Sequence, residues 1–215
     1  MALSKIQPAS MDLTDNYAFT GTNSITSASS GTYEQKKLAT LTASSSSTLS
    51  FTSSIDSTYN IYKFRFIEIH PSHNSNVDFS FQGSTNTGGS YGVTLTSTFF
   101  DAYHYENDSS AAVRYLTSRD LAQSTSFQPL SVNTAEADAD QHVSGELFLF
   151  DPSSTTFVKH FISTTQTASD GGSDDFSDNA YIAGYFNTTS AIDAIQFKFP
   201  SGNIDSGTIE MYGIN

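Results

Sequence analysis

Apolar and polar side chains alternate at every second residue over many short stretches of this sequence. Near the C-terminal end, Ile195, Phe197 and Phe199 alternate with polar residues until Pro200 ends the run. A period of two is typical of a β-strand with one buried face. Similar runs, separated by turn residues, occur at 37–42, 48–52, 59–69, 76–82, 91–100, 145–150, 156–162 and 208–212. Regularly spaced short strands of this kind predict an all-β fold.

The strand candidates also suggest how the chain is layered. Residues 59–69 carry aromatic side chains on one face and basic side chains with isoleucines on the other, which favours a central strand. The segment DPSST at 151–155 is typical of a tight turn, so the runs on either side of it are predicted to form a hairpin. The only stretch that could hold a helical turn is 111–121.

We therefore expect about nine to ten strands in a two-sheet antiparallel β-sandwich, jelly-roll-like, with an N-terminal arm. The sequence contains 17 Phe and 11 Tyr but no Trp, so aromatic rings must supply much of the core. Six of these rings lie in the strongest runs and are predicted to be buried: Phe64, Phe66, Phe148, Phe150, Phe197 and Phe199.

Charge and cysteine content exclude several kinds of protein. The formal net charge is -13, with 22 acidic and 9 basic residues, and such a surface repels phosphate backbones, so no nucleic-acid partner is expected. The absence of Cys excludes disulfides and thiolate metal sites. No stretch approaches eighteen consecutive apolar residues, so no membrane span is expected.

Residues 1–30 differ from the rest of the chain, and we treat 31–215 as the sandwich domain. The N-terminal segment contains large apolar residues without a steady period, followed by a Ser/Gly-rich joint. It could be a loosely ordered terminus. The alternative is a docking arm, and the predicted partner-binding residues are then Leu3, Ile6, Met11, Leu13, Tyr17 and Phe19.

Polar and aromatic residues in the predicted loops leave several site hypotheses open. The acidic segment 170–178 could hold calcium or could be a solvated loop, and the same alternatives apply to Glu136, Asp138 and Asp140. None of the histidines forms a helical metal pair, and no metal or cofactor is predicted. Four residues could bind sugar, or could be core or strand-end residues: Tyr103, Tyr105, Tyr181 and Asn187.

Catalysis is not expected from this sequence. It contains no G-x-S-x-G motif, and its many serines have no identifiable base. Paired carboxylates for glycosidic cleavage could be formed by the acidic residues, but no pair stands out. We therefore predict that the protein is not an enzyme.

Several stretches together resemble a group of small tailed-phage virion proteins, found mainly in marine phages and often described as tail-fibre or structural proteins. The similar stretches are FQPL at 127–130, 144–161, 183–197 and SGNIDSGTIEMYGI at 201–214. The resemblance covers most of residues 33–215 and implies a sandwich fold. It also implies a non-enzymatic virion structural protein, such as a tail-fibre or other surface-exposed component that contributes to assembly or host contact.

The same resemblance leaves two other functions open: a capsid decoration or cement protein, and a glycan-binding adhesin module. It implies assembly in the host cytoplasm and a location on the virion surface. The expected partners are other virion proteins and copies of the chain itself, with a trimer favoured, and a host-surface glycan.

Overall fold

A computed structural model describes residues 35–133, 141–169 and 174–215. These residues form twelve strands and no helix. The strands are β1 (Gln35–Thr42), β2 (Leu49–Phe51), β3 (Ile61–Pro71), β4 (Ser80–Ser84), β5 (Leu95–Tyr105), β6 (Ala111–Tyr115), β7 (Gln128–Pro129), β8 (Val143–Phe150), β9 (Lys159–Ser169), β10 (Phe176–Phe186), β11 (Ala194–Lys198) and β12 (Ile204–Ile214).

The strand order is that of a jelly roll with two insertions. The large sheet has the order β1-β12-β3-β8-β9-β10-β5-β6, and the small sheet has the order β2-β11-β4-β7. If β5, β6, β9 and β10 are set aside, the remaining eight strands form two interleaved four-stranded sheets, the arrangement of two Greek keys. Every pairing is antiparallel. The predicted two-sheet antiparallel, jelly-roll-like sandwich is confirmed.

The two inserted pairs widen the large sheet on one side. Strands β9 and β10 follow β8 in the sheet, and β5 and β6 complete it at the edge. Residues 116–133 cover the inner face of this extension. Ser169 Oγ donates to the Val132 carbonyl over 2.6 Å, and Ser97 Oγ donates to Gln128 Oε1 over 2.5 Å. The extension therefore has one covered face and one outer face.

Phe197 lies at the centre of the aromatic core between the sheets. Its ring is fully buried, and five other rings surround it with centroid distances from 5.3 to 6.3 Å: Phe51, Phe64, Phe66, Phe79 and Phe81. Burial of Phe64, Phe66, Phe197 and Phe199 was predicted from the alternation, and it is confirmed. Most of these pairs are tilted or edge-to-face, the geometry that aromatic quadrupoles favour.

The predicted burial of Phe148 and Phe150 is wrong. The buried residues of β8 are Leu147 and Leu149, and the two phenylalanines lie half-buried on the outer face. Every residue from 147 to 150 is large and apolar, so the alternation carries no information about which face is buried. The two outward rings stack on each other with centroids 6.4 Å apart, and Lys63 Nζ lies 5.2 Å from the centroid of Phe148.

One further local prediction is corrected: the stretch 111–121 holds strand β6 followed by a turn, not a helical turn. The residues Asp205, Ser206 and Gly207 are of types common in turns, yet β12 continues through them with a bulge, where its register against β3 shifts. Gly207 has φ +111°, and a Cβ there would collide with the carbonyl of Glu68, so only glycine fits the bulge.

The hairpin predicted around DPSST is confirmed. Strands β8 and β9 pair in a continuous register from Val143 opposite Thr167 to Leu149 opposite Phe161. In the connection, the backbone N–H of Ser154 donates to the Asp151 carbonyl over 3.1 Å. Pro152 is buried beneath this turn. The hairpin sets the register that carries side chains of β8 and β9 to the outer face.

Candidate functional site

Large side chains, four of them exposed and one half-buried, form a staggered line across five neighbouring strands on the outer face of the large sheet. We call this line the outer row, and its members are the half-buried Phe148 (β8) and the exposed Ile162 (β9), Tyr181 (β10), Phe100 (β5) and Tyr115 (β6). In the sheet register Phe148 lies opposite Ile162, and Phe100 lies opposite both Tyr181 and Tyr115; between these two groups the line steps by two residues, because Ile162 lies opposite Ala183. Each member points outward because its strand neighbours point into the core.

The exposure of the outer row is unusual for side chains this large. The exposed fractions are 41% for Phe100, 39% for Tyr181, 50% for Ile162 and 54% for Tyr115. Single exposed apolar residues are normal, but a contiguous line of them marks an interaction surface. The rings of Phe100 and Tyr181 stack, with centroids 5.1 Å apart and an interplanar angle of 9°. Each ring therefore covers one face of the other, and both side chains keep about 40% of their area exposed.

A groove lies on the same outer face, toward the other end of these strands. Its volume is about 400 Å³, and we define it by His104, His142, Ser144, Gln166 and Ser177. A second depression of about 360 Å³ adjoins it and shares Ser144 and Gln166. Ser177 and Tyr181 both point outward from β10 and are four residues apart, so the groove and the outer row are about 13 Å apart.

The groove carries hydroxyl, amide and imidazole groups, all of which both donate and accept hydrogen bonds. Gln166 Nε2 donates to Ser177 Oγ over 2.9 Å and to the Thr167 carbonyl over 3.1 Å, and these bonds fix its orientation. His104 Nε2 lies 3.0 Å from Asp108 Oδ1. Glu106 is the acidic residue among the groove lining. The groove therefore combines a mostly apolar lining with a few groups that can form hydrogen bonds.

The four residues predicted as sugar contacts lie in different places. Tyr181 belongs to the outer row. Tyr105 reaches the wall of the groove but also packs on Phe176, as does Tyr103, with ring centroids 5.0 and 5.9 Å away. Asn187 donates to Gln123 Oε1 over 2.7 Å and lines a separate depression of about 500 Å³. The structure thus places Tyr181 on the outer face, packs the rings of Tyr103 and Tyr105 on the buried Phe176, and leaves Asn187 apart.

Several other predictions fall outside the described residues. These are the docking arm with Leu3, Ile6, Met11, Leu13, Tyr17 and Phe19, the boundary between residues 30 and 31, and the group Glu136, Asp138 and Asp140. Part of the acidic segment 170–178 is described, and its last residue, Asp178, is buried in β10 and does not belong to a loop. Within the described ranges no group of three or more His, Asp or Glu side chains could hold a metal ion.

Asp178 belongs to a buried ionic cluster on the inner face of the sheet extension. Arg114 (β6) makes a bidentate pair with Asp101 (β5), and its Nη2 also lies 3.4 Å from Asp178 Oδ2. The guanidinium also lies over the ring of Tyr103, 4.1 Å from its centroid. Asp101 is 0% and Asp178 1% exposed, so both carboxyls act within the fold. Burial, helped by the neighbouring Asp101, raises the pKa of Asp178 to about 8.

The raised pKa of Asp178 predicts stability that falls as the pH rises. The ordinary value is 3.8 and the folded value is about 8, so between these pH values the folded chain holds a proton that the unfolded chain has released. We expect the contribution of Asp178 to the free energy of unfolding to be complete at the acidic end of this pH range and lost by about pH 8. Urea denaturation measured at pH 6 and pH 8.5 tests it. Asp178→Asn cannot titrate, and it is expected to flatten this part of the profile; an unchanged profile would exclude Asp178 as the cause.

Comparisons of the chain with protein-family models, with curated proteins and with solved structures each return no match. In the part of the chain that the structure describes, no helix is long and apolar enough to cross a membrane.

Proposed function

We propose that this protein is a non-enzymatic structural component of a bacteriophage virion, a tail fibre or another surface-exposed part, that makes contact through its outer row. The phage assignment rests on the resemblance of 144–161, 183–197 and 201–214 to small virion proteins. The observation that carries the contact role is the staggered line of large side chains across five strands, four of which are exposed.

The sheet itself favours a role in binding. The outer row is carried by strands paired over long registers, so its side chains are held in place before any partner arrives. A preorganised surface loses little conformational entropy when it binds. The inserted strands β5, β6, β9 and β10 carry most of the row, which suggests that they extend a jelly-roll scaffold with a contact surface.

The surroundings of the two neighbouring carboxyls, Asp101 and Asp178, support a role without catalysis. Among the described residues, Asp101 and Asp178 come close together, but both are enclosed and paired with Arg114. A substrate in solvent has no access to carboxyls with this burial. The cluster is better understood as a set of ionic contacts that stabilises the packing of β5, β6 and β10.

Two alternatives differ in what the outer row contacts. A capsid decoration or cement protein would bury it against another virion protein, whereas a host-attachment component would leave it open on the particle. The groove of about 400 Å³ beside the row favours host contact, because concave sites with an apolar lining and a few polar groups are typical of ligand binding. Self-association is expected elsewhere on the chain, with a trimer favoured.

The virion assignment predicts that the protein is present in purified particles. Mass spectrometry of density-gradient-purified phage detects it at a stoichiometry above trace level, and immunogold labelling of intact particles locates it on the surface. A host protein of similar abundance serves as the contamination control. Loss of the chain from particles during purification, together with no surface labelling, would contradict the proposal.

A further inference from the structure

We infer that β6 is a self-association edge, through which two copies of the chain pair their β6 strands antiparallel across a two-fold axis. Val113 of one copy then lies opposite Val113 of the partner subunit. This inference goes beyond the proposed function, because it does not depend on what the outer row contacts.

The backbone of β6 bonds to a neighbouring strand on one side only. Among the described residues, β6 is the last strand of the large sheet and pairs only with β5. Two bonds just beyond its ends fix the pattern: the N–H of Leu116 donates to the Phe99 carbonyl over 2.9 Å, and the N–H of Tyr105 donates to the Ser110 carbonyl over 3.0 Å. Bonded pairs alternate along an antiparallel ladder, so the even-numbered residues of β6 bond to β5.

The odd-numbered residues of β6 form a free edge. Ala111, Val113 and Tyr115 direct their N–H and carbonyl groups away from β5, and these groups have no backbone partner among the described residues. Their side chains point to the outer face, where Val113 is 74% exposed and Tyr115 is 54% exposed. An open strand edge of this kind is a template for pairing with a further strand.

The opposite edge of the large sheet carries features that hinder such pairing. Strand β1 contains Lys36 and Lys37, and its register against β12 shifts between Lys37 and Ala39. Charged side chains and bulges are common ways to protect an edge strand. Strand β6 has no register shift, no Pro and no Lys, and its one basic residue, Arg114, is directed inward to Asp101. Of these two edges, β6 is therefore the one that is open to pairing.

The sequence of β6 is self-complementary around Val113. With the two-fold axis at this residue, Ala111 lies opposite Tyr115 of the partner subunit, so a small side chain faces a large one. All the backbone groups of the free edge then find partners, because the odd-numbered residues form the bonded pairs. Arg114 lies opposite Ala112 of the partner subunit, so no like charges meet across the axis. This match favours a second copy over an unrelated strand.

The pairing places the outer faces of both copies on the same side. A two-fold axis between antiparallel strands of one sheet is perpendicular to the sheet, so the two large sheets join edge to edge and neither covers Phe100 or Tyr181. A five-residue edge buries less area than the roughly 800 Å² per partner of a standard interface, so the contact is expected to be weak by itself. Two adjacent outer faces increase the avidity for a partner that offers repeated contacts.

Sedimentation equilibrium of the full chain, from about 1 μM to about 1 mM, tests the inference. We expect the average mass to rise twofold, from monomer to dimer, or from trimer to hexamer where the proposed threefold contact also forms. Val113→Pro removes an N–H that β5 does not use, a position where an edge strand tolerates proline. It is expected to weaken the association about tenfold, which corresponds to about 1.4 kcal/mol.

Two further variants at the same position separate the backbone from the side chain. Val113→Lys places like charges opposite each other at the axis and is expected to weaken the pairing, whereas Val113→Thr keeps the N–H and the strand propensity and is expected to retain it. Circular dichroism checks that each variant is folded. A wild-type mass that stays at monomer or trimer up to about 1 mM, or a twofold rise that Val113→Pro and Val113→Lys both retain, overturns the inference. The virion assignment is tested separately, by detection of the chain in purified particles.

Discussion

Phe197→Ala is expected to lower the free energy of unfolding by about 3–5 kcal/mol. Its ring is fully buried and lies within 6.3 Å, between centroids, of five other phenylalanine rings from both sheets. Truncation of the Phe197 side chain removes the central contacts between β11 and the large sheet. The surrounding rings are themselves held by strand pairing, so they cannot collapse into the cavity. Urea denaturation followed by circular dichroism measures the loss.

Phe157→Ala is the matched control for this prediction. The same residue type is truncated where it is 70% exposed, so the free energy of unfolding is expected to change by less than about 0.5 kcal/mol. Phe148→Ala is expected to fall between the two, because Phe148 is half-buried on the outer face. Equal losses for Phe197→Ala and Phe157→Ala would mean that the core is not centred on Phe197.

The second large effect is expected for Arg114→Met, with a loss of about 3 kcal/mol. The substitution keeps the length of the side chain but leaves Asp101 buried without its bidentate partner. It also removes the only basic group that directly contacts Asp178 among the described residues. This loss in the free energy of unfolding lies at the lower end of the values for broken buried ion pairs, because the Arg114 side chain is 36% exposed. Thermal and urea denaturation measure the loss.

A paired variant separates the lost charge from lost packing. Asp101→Asn combined with Arg114→Met leaves no uncompensated carboxylate next to β6, so it is expected to recover a large part of the stability lost in Arg114→Met alone. The deficit of the single variant is also expected to shrink at low pH, where a buried carboxyl can take up a proton. A deficit that is independent of pH, and is not reduced in the double variant, would assign the effect to packing.

The period-two alternation was sufficient to predict the fold class, because it identifies strands with one buried face. The runs around Phe64 and Phe197 predicted the correct buried faces because their alternate residues are polar. In β8 the alternation could not choose a face, since Phe148 and Phe150 are as apolar as Leu147 and Leu149. The assignment of strands to sheets could not be predicted, because it depends on long-range pairing that no local pattern encodes.

The candidate site was predicted only in part for the same reason. Tyr181 was identified as an aromatic that could bind a sugar, but Phe100 was assigned to no site. The two residues are far apart in sequence and become neighbours only through the pairing of β5 with β10. The cluster of Asp101, Arg114 and Asp178 left no local signal either: the last of these residues looked like part of an acidic loop, and only its strand position shows that it is buried.

A cryo-electron-microscopy reconstruction of the virus particles that are proposed to carry this chain tests the central claim most directly. The claim is that the jelly roll is a contact component of the virion surface. The expected result is density for the twelve-stranded jelly roll on the outside of the particle, at a site of threefold symmetry, with Phe100 and Tyr181 facing solvent. A particle without this density, or one in which a neighbouring subunit covers the outer row, would contradict the claim.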